Sequence, residues 1–191
     1  MKVLVAYSSK TGGTRGIAAH IGETLQRRGL QVDVLEAGSV NSVSSYDAFV
    51  VGSAVYMFHW MKEAKQFLSR NKKVFAGKPV WLFSSGPVGT DKTNAKTNAK
   101  GQDLLDVSVS GPKELDELRE ITNFRDHKIF FGVLDGSKLT GVTGMMYRMA
   151  RRSEEARKSM PEGDFRDWDQ IGTWADGIAD ALPSVQRPSL G

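Results

Sequence analysis

The sequence predicts an α/β domain built around a parallel β-sheet. Short apolar, β-branched runs alternate along the chain with segments whose apolar residues recur at helical spacing. This alternation is typical of parallel strands joined by right-handed helical crossovers. The 191 residues fit one domain, and the hydrophobic and charged fractions, 40% and 25%, are ordinary for a globular protein.

Five strands are expected, each from a short apolar run. The second strand shows an alternation of Leu30, Val32 and Val34, whereas the third is a continuous apolar run, as expected for a strand buried on both faces. In chain order, the five predicted strands are 2–7, 30–35, 48–52, 79–84 and 128–133.

Helices are expected between the strands. The first, 14–28, carries Ile17, Ile21 and Leu25 on one face and ends at Gly29. Further helices are predicted at 60–69, at 112–120 with a proline at its start, and after residue 169. The polar stretch 88–111 is expected to be a loop near a functional site. Residues 1–183 are expected to form the domain and 184–191 a flexible tail.

The chain contains no cysteine. This composition excludes disulfides, thiolate nucleophiles, iron–sulfur clusters and thiolate zinc sites. Redox chemistry would therefore need an organic cofactor. His20, His59 and His127 are scattered and show no ligand spacing, so no metal site is expected.

Charge and hydropathy bound the partners and the location. Lys and Arg total 26 against 22 Asp and Glu, a net charge of +4, which permits an anionic partner or a membrane surface. No nucleic-acid partner is indicated. There is no transmembrane-length apolar run, and the first apolar run is too short for a signal peptide. A cytoplasmic location is expected, either free or peripheral to the inner membrane face.

A glycine-rich loop lies directly between the first strand and the first helix. Its small residues allow backbone N–H groups to converge on an anion, its hydroxyls add donors, and the helix dipole favours negative charge. The alternative is an ordinary glycine-rich turn capped by Thr14. The loop comprises Ser9, Lys10, Thr11, Gly12, Gly13 and Thr14.

This loop matches the T/S-x-T-G-x-T phosphate loop of flavodoxins, and the chain resembles that family over nearly its whole length. The resemblance implies a flavodoxin-like three-layer sandwich with a five-stranded parallel sheet of order 2-1-3-4-5. It also implies flavin mononucleotide (FMN) as the cofactor, with its phosphate in the loop and its ring outside the carboxyl ends of the strands.

Two further loops are expected to face the flavin ring. Aromatic side chains after the third strand would cover the ring, although the alternative assigns some of them to the core or to a partner surface. Small residues after the fourth strand would let the backbone approach the ring edge. The first set is Ser53, Ala54, Val55, Tyr56, Met57, Phe58 and Trp60, and the second is Ser84, Ser85, Gly86 and Gly89.

A narrower resemblance is to the flavodoxin-type menaquinone-dependent protoporphyrinogen oxidases. The segment 163–169, Gly-Asp-Phe-Arg-Asp-Trp-Asp, is similar to their Tyr-Thr-Asp-Trp-Glu segment, and 52–67 is similar to theirs with a histidine at the place of His59. This chain carries Tyr56 where that family tends to have arginine, and its loop after the fourth strand differs. The haem-pathway substrate is therefore not implied for this chain.

The segment 139–158 combines methionines with cations. Met145, Met146 and Met149 stand beside Arg148 and neighbouring basic residues. One interpretation is a basic amphipathic helix that touches a membrane, where a quinone would be found. The alternative is that Met and Tyr side chains pack on the sheet and leave a solvated arginine face.

The predicted function is an FMN-dependent oxidoreductase acting on a small-molecule substrate or quinone. Carrier flavodoxins are usually acidic around the ring, whereas this chain has no Asp or Glu at 52–61 or 84–90. The alternatives are a flavodoxin-type electron carrier with a redox protein partner and a non-redox FMN-binding interaction protein. His59 and Tyr56 are catalytic candidates by position alone.

Overall fold

The computed structural model describes residues 1–56, 58–86, 112–154, 157 and 162–183. The predicted loop 88–111 and tail 184–191 lie outside this described part. Two short 3-10 turns occupy Ala37–Ser39 and Gly136–Lys138. The strands and helices are β1 Lys2–Ser8, α1 Gly13–Arg27, β2 Gln31–Glu36, β3 Ala48–Tyr56, β4 His59–Trp60, α2 Lys62–Arg70, α3 Lys72–Phe75, β5 Val80–Ser85, α4 Leu115–Thr122, β6 Asp126–Phe130, β7 Val133–Leu134, α5 Gly141–Ala150, β8 Gly163–Asp164 and α6 Trp168–Ala181.

The central sheet has five parallel strands in the order β2-β1-β3-β5-β6, with β4 antiparallel to the end of β3. The predicted order 2-1-3-4-5 is confirmed, because β5 and β6 are the predicted fourth and fifth strands. The additional β4 falls where a helix was predicted to begin. A separate pair, β7 and β8, runs antiparallel.

Both faces of the sheet are covered, which explains the continuous apolar strands. Successive side chains of β1 point to opposite faces, so Leu4 faces one core and Val5 the other. The first core includes Phe67 of α2 and Leu118 of α4. The second lies against α1 and α6. Its buried helical side chains are Ile17, Ile21, Leu25, Ile171 and Ile178.

Helix α1 is positioned by glycines at both ends and by a close approach in its middle. Gly12 and Gly29 have φ values of +92° and +83°, which side-chain-bearing residues rarely adopt. At Gly22, a Cβ would lie 2.4 Å from Cγ2 of Val34 on β2. The helix therefore lies close to the sheet, with its N-terminus at the carboxyl end of β1.

Two predicted boundaries were wrong in informative ways. Strand β3 continues to Tyr56 instead of ending at Gly52, and it turns back through Phe58, at φ +66°, into β4. The fifth parallel strand ends at Phe130, and β7 then pairs with β8. In both places a short antiparallel pairing forms, a local hairpin for β3 with β4 and a pairing between distant segments for β7 with β8. The spacing of apolar residues within one segment does not reveal such pairings. No helix in the described part is long and apolar enough to cross a membrane.

Candidate functional site

The carboxyl ends of β1, β3, β5 and β6 meet at one edge of the sheet and surround a cavity of about 230 Å³. Ligands of open α/β sheets bind at this edge. The cavity is lined by Ser9, Thr11, Gly13, Thr14, Ala54, Val55, Tyr56, Ser85, Gly86, Gly132, Val133, Leu134, Asp135 and Leu139.

The loop between β1 and α1 presents donors to this cavity. The backbone N–H of Gly12 donates to Ser9 Oγ at 3.1 Å, which closes the loop on itself. Helix α1 has no side-chain cap and no acidic residue in its first turn. Its first N–H groups, with the hydroxyls of Thr11 and Thr14, are therefore suited to an anion at the positive end of the helix dipole.

Ser8 supports the same interpretation. Its Oγ is buried at the end of β1 and has no hydrogen-bond partner among the described residues. An unsatisfied buried hydroxyl costs about 1–3 kcal/mol and needs an explanation. A hydroxyl left unpaired beside an uncapped helix is expected where a ligand completes the site.

Tyr56 is the aromatic side chain that lines the cavity. The centre of its ring lies 5.6 Å from Lys10 Nζ, so the ring is next to the loop between β1 and α1. Burial raises the pKa of the Tyr56 hydroxyl above its usual value, and a hydrogen bond with Thr11 opposes that shift. The phenol is therefore neutral at physiological pH, and its ring forms a flat wall suited to stacking.

At the end of β5, Gly86 contributes backbone atoms to the cavity wall instead of a side chain. A Cβ at Gly86 would lie 3.1 Å from Val55 Cβ and 3.3 Å from the Val55 carbonyl oxygen. Glycine therefore allows the ends of β3 and β5 to come together. Its N–H donates to the carbonyl of Phe130 at 3.4 Å, which ties this loop to the end of β6.

The loop after β6 is the wall that sequence analysis missed. It contributes Gly132, Val133, Leu134, Asp135 and Leu139. The side-chain hydroxyl of Ser137, 2.5 Å away, is the main cause of a lowered pKa for Asp135. The cavity therefore has one ionised carboxylate, although the two loops considered from sequence have none. The fifth parallel strand ends at the same edge of the sheet as the others. The residues that follow it could therefore have been predicted to line the site.

Three predicted site residues, Ser53, Trp60 and Ser84, are hydrogen-bonded behind the cavity wall, and His127 joins them. Trp60 Nε1 donates to Ser84 Oγ at 2.8 Å, and Ser84 Oγ is also 2.8 Å from His127 Nε2. Ser53 Oγ donates to the carbonyl of Ala54 and accepts from the N–H of Met61. Burial lowers the pKa of His127 to about 4, so this imidazole is neutral at physiological pH.

This arrangement corrects the expectation for Trp60. Its side chain is 2% exposed and belongs to the core on the α2 face, so the indole does not reach a ligand in the cavity. Phe58 is exposed on the hairpin turn, where Lys113 Nζ lies 5.9 Å from its ring. Met57 and Gly89, also predicted as site residues, lie outside the described residues.

His59 belongs to a charged cluster beside the hairpin. It is paired in register with Tyr56, and its Nδ1 lies 2.7 Å from Glu114 Oε1. The same oxygen accepts from Lys65 Nζ at 2.8 Å. Burial acts to raise the pKa of Glu114, but the bonds from Lys65 and His59 outweigh it and keep the carboxylate ionised. Sequence analysis missed Glu114, because it comes from a segment 55 residues away.

The family follows from comparison with known proteins. The family profile described as "Flavodoxin domain" matches residues 4–160. This chain belongs to the flavodoxin-domain family. The Escherichia coli (strain K12) protein described as "Protoporphyrinogen IX dehydrogenase [quinone]" is 21% identical over 183 residues, covering 94% of this chain and 95% of that relative.

Solved flavodoxins share the fold of this family member. Oxidised flavodoxin 2 from Bacillus cereus superimposes with a TM-score of 0.56 at 19% identity, covering 95% of this chain and all (100%) of that one. A short-chain flavodoxin associated with a non-canonical PDU bacterial microcompartment gives a TM-score of 0.58 at 15% identity, covering 96% and 99%. The predicted flavodoxin-like fold and family resemblance are confirmed.

The C-terminal segment 163–169 contacts the loop between β1 and α1 and the helix that follows it. Arg166 bonds to Asp164 and donates to the carbonyl of Gly13 at 3.4 Å. Asp167 caps α6 by accepting from the N–H of Gln170 at 2.9 Å. The ring of Trp168 lies 5.2 Å from that of His20 on α1. The segment therefore holds the N-terminal half of α1 in place.

Proposed function

We propose that this flavodoxin-domain protein binds FMN in the cavity at the carboxyl edge of its sheet. The observation that carries the proposal is the uncapped start of α1, which opens onto the cavity beside Thr11 and Thr14. A phosphate dianion fits such a set of N–H and hydroxyl donors, with Lys10 as a nearby cation.

The remaining walls suit the flavin ring. Tyr56 offers a flat face, Val55 and Leu134 offer apolar contact, and Gly86 leaves backbone groups accessible at the ring edge. FMN bound here would supply one- or two-electron redox chemistry, while the protein binds and orients it. The lining of the cavity thus supports the proposal of a phosphate at the start of α1 and of a flavin ring against Tyr56.

We propose further that the protein is an oxidoreductase with a quinone or another small molecule as a redox partner. The relative described as a quinone-linked protoporphyrinogen IX dehydrogenase supports a two-electron function, since it aligns over 94% of this chain. A quinone dissolved in a membrane would require the protein to work at a membrane face. The alternative, an electron carrier with a protein partner, is favoured by the likeness to flavodoxins and by the carboxylate of Asp135.

His59 is the candidate for proton handling in this function. Donation from Nδ1 to Glu114 would fix the tautomer and leave Nε2 free to accept a proton. Bound FMN would supply the hydride acceptor, and the proton that the substrate also loses would go to His59 Nε2. Reduction of a quinone to the quinol takes up one hydride equivalent and one proton, so His59 would return its proton in that half of the reaction. Glu114 is a positioning residue in this scheme, because it acts through His59.

Titration of the apo protein with FMN and with riboflavin tests the proposed site. Thr14→Val removes one hydroxyl donor to a charged group, a contribution of about 1.5–3 kcal/mol. It should lower the affinity for FMN by roughly 10- to 100-fold and leave the affinity for riboflavin nearly unchanged. Tyr56→Ala should weaken both ligands alike, since it removes ring contact.

The exposed Thr173 on α6 gives a matched control, because Thr173→Val removes the same hydroxyl away from the cavity. This control should bind both ligands as the parent does. Equal losses of FMN and riboflavin in Thr14→Val would show that the loop does not hold a phosphate. No binding of either ligand by the parent protein would refute the FMN proposal altogether.

A further inference from the structure

Helix α5 carries an exposed apolar stripe. Met145, Met146 and Met149 are 52%, 62% and 54% exposed, and they account for half of the six large exposed hydrophobic side chains in the described part. The opposite side of the helix is packed, since Tyr147 is 8% exposed and Gly144 approaches the carbonyl of Leu139. The alternative expectation, that the methionines pack on the sheet, was therefore wrong.

Arginines run beside this stripe. Residues four apart lie one above the other on a helix, so Met145 and Met149 form one row. Arg148, three residues after Met145, lies in the adjacent row, and Arg152 follows just beyond the C-terminal end of α5. Both side chains are exposed. An apolar row flanked by cations is the surface of an interfacial helix, and its charge selects an anionic bilayer over a neutral one.

A cationic pocket adjoins the arginine row. It has a volume of about 450 Å³ and is lined by three guanidinium groups, those of Arg148, Arg151 and Arg157, against one carboxylate, that of Glu162. Glu162 Oε1 accepts from Arg151 at 2.6 Å and from the Tyr147 hydroxyl at 2.7 Å.

The pocket has an unpaired hydrogen-bond donor and an excess of positive charge. The Nε of Arg151 is buried and has no hydrogen-bond partner among the described residues. The excess of two positive charges over the single carboxylate fits a phosphate, which guanidinium groups bind well.

We propose that α5 docks the protein on an anionic membrane surface, with the methionine row in the interface and one lipid phosphate in the arginine pocket. The turn Gly136–Lys138 connects this surface to the cavity, because Gly136 and Ser137 line the pocket whereas Asp135 and Leu139 line the cavity. Docking would bring the proposed flavin site next to the bilayer. The inference goes beyond the proposed function and does not require bound FMN.

Flotation of the full chain with vesicles tests the docking surface. The protein should float with phosphatidylglycerol vesicles at low salt, much less with phosphatidylcholine vesicles, and less with either at high salt. Each cation near the surface contributes roughly fivefold in affinity. The double charge reversal Arg148→Glu and Arg152→Glu should therefore lower binding by at least roughly tenfold. Met145→Ser with Met149→Ser should also lower it.

The matched control is Lys72→Glu with Lys73→Glu, which makes the same charge change at exposed positions of α3. This control should keep vesicle binding, and circular dichroism with a denaturant midpoint of every variant reports whether it is folded. No flotation at low salt, or an equal loss in both pairs of variants, would overturn the proposal. So would binding of inorganic phosphate without vesicle binding, or a dimer that the methionine variants dissociate.

Discussion

His127 is part of a short chain of hydrogen bonds at the end of β5. Its Nε2 contacts Ser84 Oγ, which also accepts a hydrogen bond from Trp60 Nε1. Its pKa of about 4 in the folded protein lies below the value of about 6.5 for an unfolded chain. Below pH 6.5 the unfolded chain binds a proton that the folded protein does not. As the pH is lowered from about 6.5 to about 4, the free energy of unfolding should therefore fall by about 1.4 kcal/mol for each pH unit.

Urea unfolding at several pH values between 7.5 and 4.5 measures this loss. The variant His127→Gln keeps a hydrogen-bonding side chain but cannot titrate. Its stability should decline less steeply with acid than that of the parent. Parallel curves for the two proteins would show that His127 is not kept neutral by the fold.

Single residues also show why part of the site was predictable. The loop 9–14 is contiguous in sequence, so its residues could be singled out together, and the structure places Thr11 and Thr14 in the cavity wall. Asp135 and Glu114 reach the site only through the fold, and nothing in their local sequence distinguishes them from surface acids. Trp60 was misplaced because the core residues that bury it, and its hydrogen-bond partner Ser84 24 residues away, lie elsewhere in the sequence.

At the scale of elements, the contact of α1 with β2 predicts opposite effects of two glycine substitutions. Gly22→Ala would place a methyl group 2.4 Å from Cγ2 of the stiff side chain of Val34. Overpacking costs about 1–3 kcal/mol and exceeds the gain in helix propensity. Gly177→Ala meets nothing within 4 Å and should stabilise α6 by about 0.5–1 kcal/mol.

Denaturant midpoints of the two variants against the parent decide this prediction. Gly22→Ala should lower the midpoint and Gly177→Ala should raise it, with an unchanged slope. An increase of the same size in both variants would mean that α1 does not lie this close to β2. Both variants replace a helical glycine with alanine. A shift of the midpoint in opposite directions would therefore reflect only the different packing around the two positions.

Elements differ in how far sequence predicts them. The inner strands were predicted because burial on both faces leaves apolar runs. The edge strand β2 was predicted from its alternation of apolar and polar residues, and α1 from the helical spacing of its buried face. The strand β4 was not, since His59–Trp60 has only two residues and forms through pairing with β3. Short elements of this kind exist only in their tertiary context.

At the scale of the whole molecule, the charge around the cavity bears on the choice between enzyme and carrier. The net charge is +4, and Asp135 is the one acidic side chain among the cavity-lining residues of the described part. Acidic surroundings disfavour an anionic reduced flavin, so few carboxylates favour it. Reductive titration of the FMN-loaded protein should therefore pass to the two-electron reduced form with little one-electron form accumulating.

Asp135→Asn sharpens that prediction, because it removes the one carboxylate from the cavity wall without a change in size. The second reduction potential should rise, and a quinone should still reoxidise the reduced protein. The control Asp116→Asn makes the same change on α4, outside the cavity lining, and should leave both potentials as they are. A large, stable one-electron form in the parent, followed by a very low second potential, would favour the carrier instead. A direct two-electron transition that Asp135→Asn shifts upward would support the oxidoreductase, because the cavity's own charge would then set the stability of the reduced state.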